Sequence, residues 1–281
     1  MVTLIKNIKK LLQTDETQRK WVAGKEMANL PVIDNAWLMI EDDRIVDFGS
    51  MDSCPEPDEA SEIDVSGRIV MPTFCDSHTH LVYAGSREIE YGDKIRGLSY
   101  EEIAKKGGGI LNSSKLLAQT TEEELYEQAL ERIHEIIGFG TGAVEIKSGY
   151  GLDTENELKM LRVARRLKET TPIYIKTTFL GAHSIPMEYR NDQTKFVDKV
   201  INEMIPAVAA EELADYIDVF CDKGFFTVED TERILMAGMK YGLIGKIHAN
   251  ELDYSGGIQV GVKYSARSVD HLEFVGPAEI K

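Results

Sequence analysis

Apolar and polar positions change their period along the chain. Before Gly67, short apolar stretches at 36–40, 44–48 and 62–65 are separated by Glu41-Asp42-Asp43 and by the Pro55/Pro57 region. That spacing predicts small β-hairpins or a meander. After Gly67, apolar runs of strand length alternate with longer stretches of helical spacing. Strands are expected at 68–76, 143–147, 173–180, 217–220, 244–247 and 267–270. Helices are expected at 122–137, 155–169, 194–210 and 227–241, with a short one at 255–262. Thr120/Thr121 with Glu123/Glu124, Thr154 with Glu157, and Thr227 with Asp230 have the spacing of N-terminal capping pairs.

Six β-α units in series imply an α/β fold with a parallel sheet and helices outside it. A doubly wound dinucleotide fold would carry GxGxxG after its first strand, and none is present. Polar residues of one chemical kind follow several strands, which favours a (β/α)8 barrel, whose site gathers residues from its strand ends. Residues 68–281 hold about six of the eight strands and fall short of the roughly 250 residues of a complete barrel. The chain is therefore expected to be a truncated form, divided at 1–67 and 68–281.

Charge narrows the partners. With 32 Lys+Arg against 48 Asp+Glu the net charge is −16, and no basic face for nucleic acid or an anionic membrane is visible. No apolar run approaches the roughly 20 residues of a membrane span, and the N-terminus has no signal-peptide pattern. Cys54, Cys75 and Cys221 lie far apart, without CxxC. That pattern fits a reducing compartment, and the cytoplasm is expected.

The candidate chemistry is imidazole. His78, His80, His183, His248 and His271 each sit just past an expected strand, whereas His134 lies mid-helix. A lone strand-end histidine is most often a structural hydrogen-bonding group; five on one rim are harder to read that way. In an extended His78-Thr79-His80 the two rings point to one face and can meet one cation. Imidazole ligands suit Zn, Fe, Ni or Cu. Gly107-Gly108-Gly109 lacks the Lys-Ser/Thr that follows in a phosphate loop and reads as a lid or tight turn.

The segment Val70-Met71-Pro72-Thr73-Phe74-Cys75-Asp76-Ser77-His78-Thr79-His80 resembles the first strand of the amidohydrolase superfamily. More narrowly, residues 78–88, Gly107-Gly108-Gly109-Ile110, Glu145-Ile146-Lys147-Ser148-Gly149-Tyr150-Gly151-Leu152 and Phe179-Leu180-Gly181-Ala182-His183 resemble the imidazolonepropionase family. So do Lys246-Ile247-His248-Ala249-Asn250-Glu251 and Ser268-Val269-Asp270-His271-Leu272-Glu273. The likeness runs from about Leu38 to the last residues.

The resemblance implies hydrolysis of 4-imidazolone-5-propanoate to N-formimidoyl-L-glutamate, the third step of histidine degradation, in a homodimer. It implies one Zn²⁺ or Fe ion on His78, His80 and His248. Arg87 would pair with the propanoate carboxylate, and Tyr150 and His183 would hold the substrate. Glu251 would contact the ring and move a proton, and His271 would orient the attacking water or polarise the ring carbonyl. It also implies that residues 1–67 are the N-terminal part of a small β-sandwich domain.

In one respect the chain departs from the family: the aspartate after the eighth strand lies outside its 281 residues. The chain alone is therefore expected to be poorly stable or inactive. Two other readings remain open at this point. One is another cyclic amidohydrolase or deaminase with two metals bridged by a modified lysine, for which Lys223 after the fourth barrel strand is the candidate. The other is a truncated product that binds metal without turnover.

Overall fold

The computed structural model describes residues 1–15, 17, 19, 21–98, 102 and 108–280, without the side chain of Ile89. Two compact units are present, Met1–Thr73 and Phe74–Lys281.

The first unit is a five-stranded mixed sheet of β1 (Val2–Leu12), β2 (Val32–Glu41), β3 (Arg44–Ser50), β4 (Ala60–Asp64) and β5 (Ile69–Val70), in the order β3-β2-β1-β4 with β5 also beside β1. β2 and β3 form the expected hairpin, Glu41 opposite Arg44, with Asp42 at φ 52° in the turn. The sheet is not a simple meander, because β4 and β5 run parallel to β1. β1 carries a bulge between Ile5 and Ile8, with Asn7 at φ 58°. The extra residue lets Ile5 and Ile8, an odd number of positions apart, join one cluster with Ala36 and Leu38. The expected strand at 68–76 is two strands: Ile69–Val70 pairs with β1 and Phe74–Thr79 opens the second unit. Pro72, which has no N–H to give a ladder, lies in the break.

The second unit is the six-stranded parallel part of a (β/α)8-type barrel. Its strands β6 (Phe74–Thr79), β7 (Thr141–Lys147), β8 (Tyr174–Ala182), β9 (Tyr216–Cys221), β10 (Ile244–Ala249) and β11 (Ser268–His271) pair in sequence order. Two of its helices start on a capping box. Thr121 accepts from Glu124 N–H and Glu124 from Thr121 N–H at the head of Glu122–Gly138; Thr227 and Asp230 do the same for Val228–Met239. The first of these buries Leu125, Tyr126, Ala129 and Ile133, one face at helical spacing. Each fully buried large apolar side chain there stabilises the fold by roughly 1.5–3 kcal/mol.

The third expected cap is placed differently. The helix Thr154–Thr170 is capped by Asp153, whose carboxylate accepts from Asn156 N–H, and Glu157 turns into the protein instead. Its apolar face is as expected, with Leu158, Leu161, Ala164 and Leu167 buried.

Period-two alternation along the barrel strands sorts two kinds of residue. Val144 and Ile146, Ile217 and Val219, and Ile247 join the apolar clusters. Glu145 and Lys147, Asp218, Lys246 and His248, and Asp270 take the alternate positions and meet one another in the interior. The charged layer crosses from the first strand to the last. Lys246 Nζ donates to Ser77 O at 3.0 Å, and His78 Nδ1 lies 2.9 Å from Asp270 Oδ2. Among the described residues no helix is long and apolar enough to cross a membrane.

Candidate active site

The C-terminal ends of these strands surround a cavity of about 330 Å³. Its walls include every residue to which the resemblance assigns a role: His78, His80, Arg87, Tyr150, His183, His248, Glu251 and His271. Lys94, Ile110, Phe220 and Leu252 complete it. His134 is exposed on its helix, away from this group. Lys223 is exposed and pairs with Asp253 at 2.9 Å, so the structure gives it no bridging place among the imidazoles. Within the glycine run, Gly107 lies outside the described residues; Gly109, at φ 79°, precedes the helix Ile110–Gln119 and donates to Glu90 Oε1 at 2.9 Å.

Five imidazoles interlock. The His78 ring lies 4.5 Å from that of His248 and 5.0 Å from that of His271, and His80 stacks on His183 at 4.9 Å. Two triplets bring one ligand atom each within 4.8 Å of one another: His78, His248 and His271, and His80, His183 and His248. The set His78, His80 and His248 straddles these triplets, with His248 in both.

Carboxylates beneath the rings set their orientation. Asp218 Oδ2 lies 2.9 Å from His248 Nδ1, and Asp270 Oδ2 lies 2.9 Å from His78 Nδ1. This arrangement leaves Nε2 of each ring for a ligand, the usual carboxylate–histidine support of a metal centre. His80 Nδ1 is buried with no hydrogen-bond partner among the described residues, while its Nε2 meets His248 Nε2 at 3.2 Å. Burial, then the neighbouring His183 and His248, hold the His80 imidazole far below its ordinary pKa. Burial likewise pushes His183 down to about 3. Neutral imidazoles with converging nitrogens are the donor set of a late first-row cation, and these residues fit such an ion.

The charged layer below is buried yet ionic. Lys147 Nζ sits 2.8 Å from both Glu145 Oε1 and Asp218 Oδ2. Burial lowers its pKa, but the charges of Asp218 and Glu145 outweigh this and raise it. For Asp218, burial raises the carboxyl pKa, while His248 and Lys147 hold it well below the ordinary carboxylate range.

Two loops carry the remaining polar groups. The fully buried Glu157 carboxylate accepts from Gly149 N–H at 3.0 Å, Gly151 N–H at 2.7 Å and Leu152 N–H at 2.9 Å. It thereby fixes the turn that bears Tyr150. Gly149 O in turn lies 3.0 Å from His183 Nδ1. A Cβ on Gly151 would come within 2.3 Å of Glu157 N, so only glycine permits this approach. On the other side Asp222 accepts from Glu251 N–H at 2.7 Å and Leu252 N–H at 2.9 Å. Burial raises the Glu251 pKa, with His271 opposing it; His271 Nδ1 is 3.6 Å from Glu251 Oε2. His271 (φ 77°) and Leu272 (φ 68°) are both left-handed, a strain of the kind that collects at functional sites. Arg87 Nε donates to Glu90 Oε2 at 2.7 Å.

Sequence reasoning passed over Lys147, Asp218, Asp222, Glu157 and Lys94 as functional positions. For Lys147 and Asp218 the available signal was the placement of charges at every second residue of apolar strands, as in Glu145 and Lys147 or Lys246 and His248.

No family model matches the chain. Over 281 residues it is 56% identical to the imidazolonepropionase of Flavobacterium johnsoniae and 55% identical to that of Christiangramia forsetii, covering 100% of this chain and 68% of each relative. The imidazolonepropionase of Clostridium tetani is 40% identical over 99% of the chain and 67% of its own length. Among solved structures, 5-methylcytosine deaminase from Klebsiella pneumoniae liganded with phosphonocytosine matches with TM-score 0.64 and 20% identity, over 94% of this chain and 56% of that one. Guanine deaminase from C. acetobutylicum matches with TM-score 0.59 and 14% identity, over 100% and 64%. At such identities the structural likeness is one of fold.

Proposed function

The chain belongs to the imidazolonepropionase family, and from that premise we propose that the cavity at the strand ends is its active site, with one Zn²⁺ or Fe ion on His78, His80 and His248. It is a hydrolase of the carbon–nitrogen bond of a cyclic amide, converting 4-imidazolone-5-propanoate to N-formimidoyl-L-glutamate in histidine degradation. The observation that carries the site assignment is the convergence of five imidazoles with Arg87, Tyr150 and Glu251 on one cavity.

When bound, the ion supplies Lewis-acid activation of water and of the ring carbonyl. The chain's own groups do the rest. Arg87 receives the propanoate carboxylate, for which its fork is shaped. Tyr150 and His183, held together through Gly149, flank the ring. His271 orients the attacking water and donates toward the developing oxyanion. As the ring C–N bond breaks, Glu251 gives the leaving nitrogen a proton taken from the water. Burial brings its pKa closer to neutrality, as general acid–base work requires.

The working form on this reading is a cytoplasmic homodimer that engages neither nucleic acid nor membrane. The net charge of −16 supports the absence of nucleic-acid and membrane partners and the three free cysteines the cytoplasm, while the homodimer rests on the family resemblance.

Formation of N-formimidoyl-L-glutamate from fresh imidazolone propanoate, with metal content and mass of the same sample, tests the proposal. Turnover with one ion per chain would bear out the family reading in this chain, and one ion without turnover would bear out the expectation that the chain alone is inactive. Two ions per chain would overturn the mononuclear reading, and a folded chain with neither metal nor turnover would overturn the site assignment.

A further inference from the structure

We propose that Lys147 is a positioning residue of the metal centre: its buried ammonium, held between Asp218 and Asp270, fixes the two carboxylates that orient His248 and His78. The inference rests on reading His78, His80 and His248 as ligands of the ion.

The geometry is specific to single atoms. Asp218 Oδ2 lies 2.8 Å from Lys147 Nζ and 2.9 Å from His248 Nδ1. Asp270 Oδ2 lies 3.4 Å from Lys147 Nζ and 2.9 Å from His78 Nδ1. One ammonium therefore touches the very oxygen that each imidazole uses. The second oxygens are also engaged: Asp218 Oδ1 accepts from His248 N–H at 3.0 Å, and Asp270 Oδ1 from Ser268 Oγ at 2.7 Å. Neither carboxylate can turn without breaking bonds at both oxygens. A fixed carboxylate at Nδ1 selects the tautomer with its proton there and aims Nε2 at the ion.

Lys147 is itself held by Glu145 at 2.8 Å, and Glu145 Oε2 is 2.7 Å from Lys246 Nζ. Three carboxylates thus share two ammonium groups directly beneath the imidazoles. The surplus negative charge favours a cation above it. Without Lys147, Asp218 Oδ2 would lose its ammonium and Asp270 Oδ2 would keep only Lys246, at 3.4 Å, so both carboxylates would be freer to turn and to carry the two rings with them.

Simple charge balance is the rival explanation, and two variants of the full chain separate the two. Lys147→Met removes the ammonium. Lys147→Met with Glu145→Gln removes one positive and one negative charge, so the charge of the layer stays as in the parent while Asp218 loses its ammonium and Asp270 keeps only that of Lys246, 3.4 Å from its Oδ2. Zn²⁺ affinity is read by competition with a chelating dye, and the tautomers of His78 and His248 by ¹⁵N resonances of labelled histidine.

Both variants are expected to bind Zn²⁺ about 10–100-fold more weakly, the range for groups that orient metal ligands, and to lose the Nδ1–H tautomer of one or both rings. Parent affinity in Lys147→Met, or its recovery in the double variant, overturns the inference in favour of no role or of charge balance. Failure of both variants to fold overturns it in favour of a structural role. A parent chain that takes up no Zn²⁺ overturns the ligand assignment, and this inference with it.

Discussion

His80 Nε2 and His248 Nε2 face each other at 3.2 Å, although the two residues are 168 positions apart in the chain. Two ring nitrogens this close can be satisfied by a proton on one of them or by a shared cation. With His80 Nδ1 buried and unpartnered among the described residues, the cation is the better partner.

Added Zn²⁺ is therefore expected to stabilise the fold, by about 4 kcal/mol at a free concentration one thousand times its Kd. Thermal melts with and without the ion measure this, and a chelator should reverse it. His248→Ala should abolish the gain, because His248 belongs to both imidazole triplets. A melt indifferent to Zn²⁺ in the parent would remove the metal centre from this cavity.

Arg87→Ala is expected to raise KM about 10–100-fold while kcat changes little, as befits the loss of a charge-assisted contact of roughly 1.5–3 kcal/mol made equally in ground and transition states. Arg87→Lys should recover only part of it, since an ammonium lacks the fork. Steady-state kinetics decide; a fall in kcat at constant KM would place Arg87 nearer the reacting bond.

Gly149 takes φ 115°, and a Cβ there would lie 2.8 Å from His183 Nδ1. Gly149→Ala is expected to cost about 1–3 kcal/mol of stability and to raise KM, since backbone strain and collision both fall on the substrate-facing histidine. Gly67→Ala is the control, being left-handed (φ 78°) with nothing within 4 Å of its Cβ. It should lose stability without any change in kinetics. Equal kinetics in the two variants would dissociate His183 from the Gly149 turn.

Burial pushes the Glu157 carboxyl up to about 7 from its ordinary value of 4.5, against the pull of Ser148 and three backbone N–H groups. Between those two pH values the folded chain holds a proton that the unfolded chain has released. The contribution of Glu157 thus favours the fold at low pH and is lost as pH rises through about 7, by about 3 kcal/mol in all. Glu157→Gln does not titrate, so its stability should fall less than the parent's between pH 4.5 and 8. Chemical denaturation across that range checks the difference; parallel curves would count against a raised Glu157.

Much of this was legible in residue types. The caps at Thr121 and Thr227, the six barrel strands and the five rim histidines follow from spacing alone, because each depends on neighbours within a few residues. What escaped depends on contacts far along the chain. The bulge at Asn7 brings Ile5 and Ile8 into one cluster, a spacing of three that looks helical rather than extended. Glu157 follows Thr154 at the distance of a capping partner, yet the cap one residue earlier, Asp153, wins, and the carboxylate serves the Tyr150 turn instead. Lys147 and Asp218 alternate with apolar residues as solvent-facing charges would. Only the curl of the sheet turns them inward.

The bond between His78 and Asp270 joins residues 192 positions apart. During synthesis at about 5–20 residues per second, His78 and His80 emerge roughly 10–40 s before the strand that carries Asp270. Until His183, Asp218 and His248 follow within that interval, the two imidazoles are a bare pair. The ring encoded first is thus the last to be set, when β11 arrives and Asp270 fixes His78.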